Sequence, residues 1–126
     1  MKDGFVKAAV STPELRVADC LFNEKKIKEK ELILKKNNCD ENQIINIISS
    51  NPMYLDKTND IVLRLISKLK SYGFSMLNIL FDSNPYILNL EVFEIENYIN
   101  NRLDSGEELE DIIDDLDSNP ILFNEI

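Results

Sequence analysis

Seven acidic residues crowd one short stretch: Glu107, Glu108, Glu110, Asp111, Asp114, Asp115 and Asp117. Between them Leu109, Ile112, Ile113 and Leu116 recur at helical spacing, so the apolar residues share one face and the acids take the rest. Such a surface attracts a basic partner through long-range charge, which makes these seven the candidate residues for docking a protein or peptide. The plainer role is a polar cover that keeps the end of a stacked structure soluble. In the same stretch Asp115, Asp117 and Asn119 alternate as in the first half of an EF-hand loop. The glycine position holds Pro120 and the bidentate-glutamate position holds Ile126, so no calcium site is expected.

Other reactive chemistry is sparse. The chain has two cysteines and no histidine, so a common zinc site and a histidine general base are both ruled out. Cys20 and Cys39 are expected to be small, reduced, apolar residues of a cytoplasmic protein. There is no glycine-rich phosphate loop, Walker lysine or Ser/His/Asp arrangement, and the reading is a non-enzymatic protein without cofactor or metal. Lysines cluster at Lys25, Lys26, Lys28, Lys30, Lys35 and Lys36, but they alternate with Glu24, Glu29 and Glu31 as on a solvated helix face. Tyr54, Tyr72, Tyr86 and Tyr98 are expected at the edges of a core instead of forming a base-stacking set.

The net charge of −9 is unevenly spread: residues 1–39 carry +3 and residues 40–126 carry −12. The body therefore repels phosphate. No apolar run approaches the roughly 18 residues of a membrane span, and MKDGFVKAAV does not read as a secretion signal.

The elements that position these residues are set by a recurrence. SSNPMYL at 49–55 returns as DSNPYIL at 82–88 and DSNPILF at 117–123, with prolines separated by 33 and 35 residues. Aligned on proline, Ile44, Leu77 and Ile112 fall eight places upstream, Ile48, Phe81 and Leu116 four upstream, and Leu55, Leu88 and Phe123 three downstream. A spacing of about 20 to 50 residues marks units that bury their apolar faces against one another. Proline drives the residue before it out of the α region, so each Ser-Asn-Pro is a corner: the helix stops, and Asn caps a short new turn with Pro at its first position.

Two helices precede each corner. In the middle unit the spacing predicts a helix, capped by Asn59 and running to Tyr72, with Val62, Leu65, Ile66 and Leu69 inward, a stop at Gly73, and a partner from about Ser75 to Phe81. In the third, Val92, Ile95, Ile99 and Leu103 form the stripe, and Gly106 precedes the acidic helix. In the first, a helix from about Asn23 to Lys36 ends at Asn38, and Asp40 with Gln43 resembles a capping box ahead of Ile44, Ile45 and Ile48.

From about residue 24 onward this pattern resembles the mitochondrial transcription termination factor repeat, through Pro followed by Leu55 or Leu88, the stretch LKSYGFS and the next SNP. The resemblance implies two antiparallel helices and a 3-10 turn per unit, and a nucleic-acid-binding function through basic residues, here Lys25, Lys26, Lys28, Arg64 and Lys68. Residues 1–23, MKDGFVKAAVSTPELRVADCLFN, resemble the opening of the glutamine-dependent NAD synthase amidohydrolase domain. Nothing after Asn23 resembles that family's glutamate or lysine segments, so the resemblance implies an inactive N-terminal remnant fused to a helical repeat.

The expected architecture is all-α: an extended, weakly packed segment over residues 1–22 and one helical-repeat domain over 23–126, with units at about 23–55, 56–88 and 89–126 forming a short solenoid. The expected function is a non-enzymatic acidic scaffold that recognises a protein or peptide, with the nucleic-acid module and the synthase remnant as alternatives.

Overall fold

The same backbone geometry closes all three Ser-Asn-Pro segments. Asn51, Asn84 and Asn119 have φ/ψ of −135/74, −144/85 and −136/76, neither helical nor fully extended. Each donates its N–H back into the helix it ends, to Ile47, Leu80 and Asp115, and accepts at its own carbonyl from the residue two places beyond proline. A 3-10 turn follows in each case: Pro52–Asp56, Pro85–Asn89 and Pro120–Glu125. Proline opens it because its missing N–H would have no partner there.

The structure is a computed structural model and describes residues 13–126, with side chains described from residue 24. Those residues form helices and 3-10 turns without a strand: α1 (Pro13–Lys36), α2 (Glu41–Ser50), the Pro52 turn, α3 (Asn59–Ser71), α4 (Leu77–Ser83), the Pro85 turn, α5 (Val92–Asp104), α6 (Leu109–Ser118) and the Pro120 turn. The fold is all-α, with three successive helix pairs each closed by a proline corner. Within a pair, the first helix ends on a residue with positive φ: Asn38 at 71°, Gly73 at 103° and Gly106 at 101°. The N–H after each reaches back to the carbonyl of Leu34, Leu69 or Arg102, the bond that closes a helix C-terminus when one residue turns left-handed.

Successive units pack like against like. Helix α2 lies on α4, α3 on α5, and the three proline turns stack in order. One apolar cluster runs through them: of the nine positions aligned on the prolines, seven are buried in it, Ile48 is partly buried against it, and Leu55 is buried outside it. Phe74 and Phe123 meet with ring centroids 5.9 Å apart, tying the second unit to the third. Tyr54 is fully buried and donates its hydroxyl to the Lys30 carbonyl at 2.7 Å, pinning the first corner to α1.

Polar bonds between units come from the corner asparagines. Asn51 donates its side-chain amide to the Pro85 carbonyl and to Asn89 Oδ1, both at 3.0 Å. Asn84 repeats this one unit on, to the Pro120 carbonyl at 2.9 Å and Asn124 Oδ1 at 3.0 Å. The expected capping role is therefore secondary: among the three, Asn84 alone also caps its turn, accepting from the Tyr86 N–H at 3.3 Å.

Several expectations are corrected. Residues 13–22 are not extended; they are the first turns of α1, with Pro13 at its first position. The rest of that expected segment, with the FVKAAV stretch, lies outside the described residues. Thr58 precedes α3 as its N-terminal flank, and Asn59 turns to α1 instead. Ile45 is exposed while Ile47 is fully buried, because the inward face of α2 follows Ile44 and Ile47 at a spacing of three. Leu103 and Leu109, expected inside, are 38% and 42% exposed.

Asn51 and Asn84 are 1% and 4% exposed, so truncating either leaves a buried carbonyl and a second amide without their donors. Asn51→Ala and Asn84→Ala should each lower unfolding free energy in urea by about 2 kcal/mol. Asn119→Ala, at an exposed side chain without a hydrogen-bond partner among the described residues, should stay within about 0.5 kcal/mol of the parent.

Candidate functional site

Helix α3 buries Val62, Leu65, Ile66 and Leu69, which leaves Leu63, Arg64 and Ser67 on its outer side. Helix α5 buries Ile95 and Ile99 and leaves Phe93 outside. Because α5 packs beside α3, these outer faces meet along a groove of about 760 Å³. Leu63 and Phe93, 48% and 58% exposed, line it with Val92, and the ion pair of Lys68 with Glu96 at 3.0 Å crosses it. Lys68 also lies 5.0 Å from the centre of the Tyr72 ring. The bond to Glu96 is the main reason the Lys68 ammonium holds its proton above the usual lysine range. The groove can take apolar side chains and surround them with fixed charges of both signs.

The basic residues singled out from the sequence fall into two separate sets. Lys25 and Lys28 border a smaller groove on α1 with Glu24, Glu29 and Leu32, and Lys26 on the same helix pairs with Asp56 at 3.2 Å. Arg64 and Lys68 lie on α3, where Arg64 pairs with Asp60 at 3.7 Å. Lys57 donates to the Asn89 carbonyl at 3.0 Å and so joins the first corner to the second. Lys30 is buried: it donates to Asn59 Oδ1, and loss of solvent lowers its pKa.

The seven acids of the last helix pair do not act alike. Arg102 donates from Nε to Glu107 at 2.9 Å, from Nη2 to Asp115 at 2.9 Å and from Nη1 to the Tyr98 hydroxyl at 3.1 Å. Glu107 and Asp115 thus belong to a clasp that holds α5, its following turn and α6 together. Glu108 flanks the start of α6. Glu110, Asp111, Asp114 and Asp117 stay exposed, without side-chain partners among the described residues. The sequence pattern did not expose the clasp, since Arg102 reads as an ordinary cation near a helix C-terminus.

Among the described residues no group of three or more His, Cys, Asp or Glu side chains is arranged to hold a metal ion. No helix among them is long and apolar enough to cross a membrane. Cys39 is buried beneath the first helix pair, and burial, with Asp82 and Asp40 nearby, pushes its thiol up to about 11.

Two measurements check these assignments. Hydrogen bonding to Arg102 holds the Glu107 carboxyl below its usual 4.5, so the clasp's stabilisation is full above that value and is lost as pH falls through the lowered one. Arg102→Gln should lower the urea midpoint at neutral pH and flatten the decline of stability below pH 4.5. In a Cys20→Ser background, Cys39 should resist alkylation in the native protein at moderately alkaline pH and react promptly once unfolded. No family model, curated protein or solved structure matches this chain.

Proposed function

We propose that this chain is a non-enzymatic, cytoplasmic helical-repeat scaffold that binds a protein or peptide partner in the groove between α3 and α5. The observation that carries this reading is the pair of exposed apolar side chains, Leu63 and Phe93, held side by side by neighbouring units. Exposed apolar groups gathered at one groove, unlike scattered ones, are the kind of surface a partner covers. The partner that fits is an amphipathic segment with basic residues, its apolar side chains between Leu63 and Phe93. The net charge of −9 would steer it, and exposed Glu110, Asp111, Asp114 and Asp117 extend the negative field.

Against a phosphate-binding surface stands the commitment of the bases. Of the five in residues 40–126, Lys57, Arg64, Lys68 and Arg102 are all bonded within the chain, with Lys70 the exception among the described residues. Counterion release needs cations free to meet phosphates.

Affinity capture on the immobilised chain tests this, with the extract treated with nuclease. A protein or peptide should be retained, and Leu63→Asp with Phe93→Asp should weaken its binding at least about tenfold. Recovery of nucleic acid alone, with affinity falling steeply as salt rises, would overturn the reading.

A further inference from the structure

The contact that joins one unit to the next is left half-made at both ends of the stack. Between units, a buried asparagine gives its amide to a proline carbonyl and to an amide oxygen four residues beyond that proline. The receiving Pro85 is buried under this contact. In the last unit Asn119 has the same backbone angles as Asn51, yet it is exposed and its side chain has no partner among the described residues. In the first unit Pro52 is exposed, and no asparagine amide reaches its carbonyl among the described residues. Four residues on, at the position of Asn89 and Asn124, stands Asp56, which holds Lys26 through Oδ1 and has no partner for Oδ2 among the described residues.

One end thus carries a donor without acceptors, and the other carries the Pro52 carbonyl and Asp56 Oδ2 without a side-chain donor among the described residues. We infer that copies of this chain stack head to tail, Asn119 of one copy donating to the Pro52 carbonyl and the Asp56 carboxylate of the next. The contact continues the one already made twice inside the chain and involves neither the α3–α5 groove nor a partner of different sequence. Charge favours the same polarity. Residues 89–126 hold one base, Arg102, against twelve acids, whereas residues 23–55 hold six bases against five acids. A tail-to-tail pair would set two copies of the most acidic unit together; head-to-tail stacking sets that unit on one close to neutrality. The contact is heterologous, so it propagates into open stacks or closes as a ring, in contrast to a two-fold dimer.

Sedimentation of the full chain across a concentration series into the millimolar range tests this. The mass should climb with concentration beyond a dimer. Asn119→Ala and Asp56→Ala should keep the parent's helical circular dichroism; Asn119→Ala should weaken association about 30-fold, the equivalent of two hydrogen bonds, and Asp56→Ala, which leaves the Pro52 carbonyl in place, about tenfold. An equimolar mixture of the two variants retains one intact junction per pair, so it should form dimers and nothing larger. A parent that stays monomeric throughout would overturn the inference. So would association that survives both substitutions, or a mixture that recovers no dimer.

Discussion

A buried primary amide has two N–H groups, and both must find acceptors or cost the fold stability. At Asn51 and Asn84 both acceptors lie in the next unit, 34 to 40 residues along the chain. Apolar packing supplies most of the energy that holds the helix pairs together, but it is not directional, and Leu, Ile and Phe tolerate small displacements. A carbonyl and an amide oxygen at fixed positions do not. The asparagine therefore sets the register in which one unit lies on the next, and the core fills in around that choice. The near-identical corners at Asn51 and Asn84 aim the same donor in the same direction.

This division of labour decides what could be read in advance. The proline alignment located nine core positions because burial repeats with the unit and apolar type is a local property. The helix ends were legible for the same reason: Gly73, Gly106 and Asn38 sit where the backbone turns left-handed, and only a few residue types occupy that region without strain. The cross-unit bonds were not legible, because Asn before Pro has a local explanation as a cap that hides the distant one. The recurrence of Asn89 and Asn124 at a fixed distance past proline was the available signal. Leu103 and Leu109 misled because helical periodicity says which face is apolar, and only the presence of a neighbour says whether that face is covered. The α3–α5 groove was hidden likewise, since Leu63 and Phe93 are exposed only relative to a partner helix in another unit.

Charge follows the same logic. Four of the five cations of the body are spent inside the chain, on Asp60, Glu96, the Asn89 carbonyl and the Arg102 clasp. What remains facing water is chiefly carboxylate. The surface character is thus a remainder left after the junctions are satisfied. It concentrates in residues 89–126, where Arg102 answers twelve acids.

Because every junction uses one donor and two acceptors at equivalent sites, the middle unit carries both halves of the connector. Duplicating residues 56–88 in tandem would place a second Asn84 opposite a second Pro85, and the added segment would bring its own matching ends. A gene built this way can lengthen by copying one block, without inventing a new interface and without disturbing the outermost blocks.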